Sequence, residues 1–182
     1  MRLRLAGAMT LAMLLAAGAG PSAQGGRITR EEALAAVFPG AEVAAERVFL
    51  TRAQRRAIGE LARVDDVSGL VARYVATRAG AVVGRAYVDT HVVRTKRESL
   101  LISLHADGTV KRIDVTAFLE PIEYLPSRRW LAQYDDRPLD DDLALRRAIR
   151  TIAGATLSGV ATNAAVRRVL ATDQVLAGGA AE

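Results

Sequence analysis

Apolar residues recur at helical spacing in two segments of the first third of the chain, and a capping signature precedes each segment. Thr29 followed by Glu32 is a capping box ahead of "REEALAAVF", which Pro39-Gly40 ends. Thr51 followed by Gln54 repeats the signature ahead of "AQRRAIGELARV", whose apolar residues share one helical face. The pattern predicts two amphipathic helices, with a strand in the intervening "AEVAAERVFL".

From Leu70 the period of the apolar positions changes to two. The run "LVARYVATRAGAVVGRAYVDTHVV" predicts two strands with a turn at residues 78–81, and "ESLLISLHADGTVKRIDVTAF" predicts two more around Asp107-Gly108. Tight turns join such strands in antiparallel order. We therefore expect an α+β fold: an antiparallel β-sheet of about four to six strands, with helices packed at the N- and C-terminal ends.

The sheet pattern ends at an irregular segment, "LEPIEYLPSRRWLAQYDDRPLDDD". It holds three of the five prolines, the only tryptophan and two of the four tyrosines, which suggests a ligand-facing loop. Ser127 is predicted to cap a short helix over residues 128–133. Asp140-Asp141-Asp142 are expected to start a helix rather than to bind a divalent ion. The composition from Leu143 onward predicts helix, broken only at Gly154.

Composition places this pattern in one exported globular domain. The chain has 182 residues, 51% of them apolar and 25% charged. Arg2 and Arg4 precede the apolar run "LAGAMTLAMLLAAGAG", and small residues follow it. This is the pattern of a secretory signal peptide over residues 1–23, which leaves a single domain over 24–182 in a periplasmic or otherwise extracytoplasmic location. The alternative is that the leader is retained as an anchor.

Several kinds of site are excluded or disfavoured. The absence of cysteine excludes disulfides, a thiol nucleophile and cysteine-based metal sites. The formal charge of +5 falls to +3 without Arg2 and Arg4, and the remaining cations are scattered, so no nucleic-acid partner is expected. His91 and His105 fall on predicted strands without a carboxylate at metal spacing, so we interpret both as lone surface or sheet histidines and not as metal ligands.

The candidate for chemistry is the sequence Gly154-Ala155-Thr156, which precedes an apolar, alanine-rich helical run. A phosphate attached or bound near Thr156 would face the free backbone N–H groups and the positive dipole end of that helix. On pattern alone, a helix N-cap is the commoner meaning of such a sequence.

A resemblance adds to this interpretation. Residues 154–158, "GATLS", near the C-terminus, resemble the flavin-attachment motif of the FMN-binding domain family. That family includes the FMN-carrying C subunit of the sodium-pumping NADH:quinone reductase and the G subunit of the Rnf complex. The segments "LLISLHADGTVKRIDV" and "FLEPIEYLPSRRWLAQY" are also similar to family regions, so the resemblance covers roughly residues 70–176.

The resemblance implies that FMN is joined through a phosphoester to Thr156 by a flavin transferase that uses FAD and magnesium. Gly154 would permit a close backbone approach to the phosphate. The chain departs from the family at Arg150, where an acidic residue is frequent, and at Ala153, where Ser or Thr stands. Arg150 could instead pair with the FMN phosphate, or be a solvated helix arginine.

The flavin ring requires an apolar or aromatic slot with a few polar groups. Trp130, Tyr124, Pro121 and Leu125 could form its walls, and Glu120 could orient the loop or a group at the ring edge. The two aromatic residues could equally be core side chains. Ser158 would support the phosphate or cap the helix. The cofactor-binding residues expected are Gly154, Ala155, Thr156, Leu157, Ser158, Glu120, Pro121, Tyr124 and Trp130.

The function implied is that of an FMN-carrying electron-transfer protein that exchanges electrons with a membrane-bound redox partner. Two alternatives stay open: a flavin-dependent reductase of a small acceptor, and a flavin-free binding or assembly module with the same fold.

Overall fold

A computed structural model of the protein describes residues 28–178. The predicted signal peptide, residues 1–23, lies outside the described residues. Short 3-10 helices occupy Ile122–Tyr124 and Ala132–Tyr134. The helices and strands follow the order α1 (Arg30–Val37), β1 (Glu42–Phe49), α2 (Arg52–Ala62), β2 (Leu70–Arg78), β3 (Ala81–Val92), β4 (Arg97–His105), β5 (Val110–Phe118), α3 (Arg128–Leu131) and α4 (Thr156–Gly178).

The five strands form one antiparallel sheet in chain order, β1 to β5, so each strand pairs with its sequence neighbours. The α+β prediction is confirmed, with helices flanking the sheet at both ends of the chain. The turn signals are also confirmed, because Gly80 and Gly108 adopt the positive φ angles, +79° and +88°, that tight turns require.

Both predicted capping boxes are present, at Thr29 and at Thr51. Helix α1 packs its buried Leu34 and Val37 on one face of the sheet, against Ala76, Ala86 and Leu101. The sheet allows this close packing because β3 has a glycine beneath the helix end. A Cβ at Gly84 would lie 2.4 Å from the Phe38 ring.

Helix α4 covers the opposite face and forms the main core. Val166, Val169 and Leu170 pack against β-sheet residues such as Leu100 and Ile102. Polar contacts fix the helix along its length. Asp173, for example, accepts a 2.7 Å hydrogen bond from the Tyr87 hydroxyl and a 2.8 Å bond from Nη2 of Arg85. Among residues 28–178, no helix is long and apolar enough to cross a membrane.

The helix predicted from Leu143 is wrong over its first part, because residues 143–155 are irregular and α4 begins only at Thr156. Leu143 and Ile149 are completely buried, and Arg146 has a φ of +64°, so tertiary packing overrides the local helical composition. The acidic run does not start a helix either. Asp140 instead accepts a hydrogen bond from the backbone N–H of Leu143.

Candidate functional site

The candidate site begins where the irregular segment turns into α4. Gly154 has a φ of +76°, and a Cβ added there would meet no atom within 4 Å. The carbonyl of the buried Ala155 accepts the first helical hydrogen bond, from the Gly159 N–H at 3.1 Å, so Ala155 is the N-cap. Alanine has no side-chain acceptor for the N–H groups of the first turn. Helix α4 therefore begins without a side-chain cap.

Thr156 is the first residue of α4, and its side chain is exposed. Within residues 28–178, no side chain accepts a hydrogen bond from the N–H of Thr156, Leu157 or Ser158, and neither hydroxyl of this turn acts as a cap. Ser158 is buried and lines the cavity described next. The turn therefore presents an accessible hydroxyl together with backbone N–H groups that have no acceptor in the described protein.

A cavity of about 270 Å³ lies against this turn. Two segments that are distant in sequence meet there, because Glu120 and Tyr124 line the cavity together with all five residues of 154–158. The β3–β4 loop adds Val93 and Arg94. Pro121 is exposed next to Glu120 and is not among the lining residues. The structure thus brings most of the predicted cofactor-binding residues together at one cavity.

Glu120 organises the wall of this cavity. Its Oε1 accepts backbone hydrogen bonds from Thr95 at 2.7 Å, Lys96 at 2.8 Å and Arg94 at 3.2 Å. The bonds from Thr95 and Lys96 hold the pKa of this carboxyl below its usual range, outweighing the effect of burial. Glu120 therefore fixes the β3–β4 loop, which is one of its two predicted roles.

Arg94 was missed in the sequence analysis. Arg94 lines the cavity and is exposed, and its side chain has no ion pair or hydrogen bond within the described part of the chain. A signal was present, because "RTKR" places three cations in four residues between two predicted strands. Such a concentration in a hairpin loop favours an anion.

Trp130 and Arg150 lie elsewhere. Trp130 is 9% exposed, belongs to the main core and donates its indole N–H to the Arg150 carbonyl at 2.7 Å. Both residues line a different depression, together with Gln133 and Ala148. The structure therefore favours the core alternative for Trp130, and it does not place Arg150 in the cavity beside Thr156. Ser127 caps α3 as predicted, although α3 ends at Leu131.

His91 is not the lone histidine that the sequence analysis expected. Nδ1 lies 2.9 Å from Asp89 and Nε2 lies 3.0 Å from Glu98, both largely buried carboxylates. Burial alone would lower the pKa of His91, but these two hydrogen bonds outweigh it and raise the pKa to about 9. His105 faces Asp136 at 3.2 Å. Nowhere in residues 28–178 do three or more His, Cys, Asp or Glu side chains form a group that could hold a metal ion.

Comparisons of the chain with family models, with curated proteins and with solved structures found no match. The features that bear on function are therefore the geometry at the start of α4 and the motif at residues 154–158.

Proposed function

We propose that the protein is an extracytoplasmic, FMN-carrying electron-transfer protein whose flavin is attached by a phosphoester to Thr156. One observation carries the proposal: the exposed Thr156 hydroxyl stands beside the cavity at an uncapped helix start. An ordinary helix-capping threonine would place its hydroxyl on a first-turn N–H, and Thr156 makes no such bond within residues 28–178.

The residues present fit a phosphodiester. The N–H groups of the first turn and the dipole of a 23-residue helix favour a negative charge at this position. Arg94 offers a cation without a competing carboxylate among the described residues, and the open side of Gly154 leaves room for phosphate oxygens. These groups would hold the phosphate, and Glu120 would keep the Arg94 loop in place.

Attachment would require a flavin transferase as a partner. The transferase would join Thr156 Oγ1 to the FMN phosphorus of FAD and break the pyrophosphate bond, so that AMP leaves with the hydroxyl proton. Once bound, FMN would supply the electron-transfer chemistry, while the chain binds and orients it. A membrane-bound redox partner and an exported location complete the proposal, and both rest on the resemblance and on the leader sequence.

Gel fluorescence after co-expression with a flavin transferase tests the proposal. We expect a fluorescent band on a denaturing gel for the wild type and for Thr156→Ser, and a dark band for Thr156→Ala. Thr151→Ala is the matched control, because Thr151 is an exposed threonine on the same segment but does not line the cavity. Its band should stay fluorescent, and intact mass should show the added FMN.

The alternatives give other outcomes. A dark wild-type band with the mass of the unmodified chain would support the flavin-free module, which the departures at Ala153 and Arg150 favour. Colour that is lost on denaturation would indicate FMN held without a covalent bond. A flavin-dependent reductase would show steady-state turnover with a small acceptor.

A further inference from the structure

A second, larger cavity lies between α4 and the sheet. This groove has a volume of about 730 Å³ and runs between α4, β3 and the start of β2. We call it the α4 groove and define it by Ala161 and Ala164 on the helix, Asp89 and His91 on β3, and Val71 on β2. It does not include any residue that the sequence analysis predicted to bind the cofactor.

The cavity at Thr156 is the smaller of the two. Its volume of about 270 Å³ is below the range of about 300–1,000 Å³ in which pockets for drug-sized ligands fall. The α4 groove is within that range. A ligand with its phosphate at Thr156 therefore finds more room for its ring system in the α4 groove than in the first cavity.

The two cavities adjoin along α4 and along the end of β3. Leu157 lines the first and Ala161 lines the second, and residues four apart lie on the same face of a helix. Val93, which lines the first cavity, directly follows Val92, which lines the second. Thr156 and Ala161 are separated by about 8 Å along the helix axis, at 1.5 Å per residue. A ribityl phosphate chain would be long enough to span this distance between the two cavities.

We propose that the isoalloxazine ring of the attached FMN lies in the α4 groove and not beside Trp130. This inference rests on the proposed function. The groove has the chemistry that such a ring needs, because Ala161, Ala164 and Val71 give apolar walls while Asp89 and His91 give a polar side.

The two alanines create the space. Ala161 and Ala164 are only partly buried, and they line the groove together with Arg168, on the flank of α4 beside the residues that form the main core. Leucine at both positions would occupy the groove without changing the helical composition, since leucine is a good helix former. The double variant Ala161→Leu/Ala164→Leu therefore blocks the proposed ring site and leaves Thr156 untouched.

The experiment measures iodide quenching of flavin fluorescence in the folded, flavinylated full chain. Because a pocket buries most of its ligand's surface, we expect the Stern–Volmer constant of Ala161→Leu/Ala164→Leu to exceed that of the wild type by about threefold or more. Ala148→Leu is the matched control, because Ala148 lines the depression of Trp130, and its quenching should equal that of the wild type. Should the double variant not fold, Val71→Phe fills the groove from the opposite wall and carries the same expectation.

Failure of this inference is distinct from failure of the proposed function. A fluorescent denaturing-gel band with unchanged quenching in the groove variants would overturn the ring position alone. Increased quenching in Ala148→Leu and not in the groove variants would place the ring beside Trp130 and overturn it as well. A dark wild-type band on the gel would overturn the attachment, and the ring position with it.

Discussion

Asp89 of β3 and Arg168 of α4 are joined by two hydrogen bonds, from Nε to Oδ2 at 2.7 Å and from Nη2 to Oδ1 at 2.8 Å. The two side chains are only 10% and 16% exposed. The hydrogen bonds of His91 and Arg168 keep the pKa of Asp89 below its usual range although burial acts to raise it. The pair thus fastens the helix that begins at Thr156 to the sheet and closes one side of the α4 groove.

Removing one partner of this pair should destabilise the fold strongly. Arg168→Met removes one of the two cations that contact the buried Asp89 and leaves only His91, so we expect the free energy of unfolding in urea to fall by about 3 kcal/mol. Arg63→Met is the matched control, because Arg63 and Asp141 form an ion pair with side chains 61% and 75% exposed. Its effect should stay below about 1 kcal/mol. Equal losses in the two variants would contradict the structural role of the Asp89–Arg168 pair.

His91 should make stability depend on pH. Its pKa is about 9 in the folded protein and about 6.5 in an unfolded chain, so its stabilising contribution is complete below pH 6.5 and is lost as pH rises through 9. The charged and polar groups that face it are Asp89 on β3, Glu98 on β4, and Arg168 and Thr162 on α4. Deprotonation removes one donor from between the two carboxylates.

We therefore expect the wild type to lose on the order of 2 kcal/mol of unfolding free energy between pH 6.5 and pH 9. Urea unfolding at a series of pH values measures the loss. His91→Gln should show a much flatter profile over this range, whereas His105→Gln should keep the wild-type profile. A wild type whose stability is constant over this interval would show that His91 is not charged between its carboxylates.

Local signals were sufficient to predict the frame of the fold. The capping boxes at Thr29 and Thr51 and the turn glycines Gly80 and Gly108 act within a few residues of themselves, and all four are confirmed. The alternation of apolar positions with a period of two predicted the strands of the sheet. The exception among the local predictions was residues 143–155, where Leu143 and Ile149 are pulled into the core. Burial of this kind depends on partners distant in sequence.

The site was predictable only in part. The start of α4 carried its own signal, but the network around His91 depends on strand register, because His91 pairs with Glu98 across β3 and β4. Arg94 likewise reaches the cavity only because Glu120, 26 residues further on, holds its loop. The prediction that Trp130 binds the cofactor could not be decided from the sequence. Its size fits either a ligand wall or the core, and only packing decides between them.

Gly154 should be required for its backbone conformation. A Cβ at Gly154 and one at Gly69 would both meet no atom within 4 Å, but only Gly154 has a positive φ, +76°. We expect Gly154→Ala to lower the free energy of unfolding by about 1 kcal/mol, because an L-residue is strained in this region. Gly69→Ala should be within about 0.5 kcal/mol of the wild type or slightly stabilising. Thermal and urea unfolding measure both, and equal effects would contradict a conformational requirement.

Arg94, and not Arg150, should contribute to flavin attachment. Arg94 lines the cavity at Thr156, whereas Arg150 lines the depression of Trp130. In a time course with purified transferase, FAD and magnesium, we expect Arg94→Gln to gain gel fluorescence about fivefold more slowly, the effect of roughly 1 kcal/mol for a solvated charge-assisted contact. Arg150→Gln should match the wild type. Calorimetric titration of free FMN into Thr156→Ala, with and without Arg94→Gln, separates a contact with the cofactor from one with the transferase. A slower attachment with unchanged FMN affinity would assign Arg94 to the transferase interface, and equal rates for both arginine variants would remove it from the site.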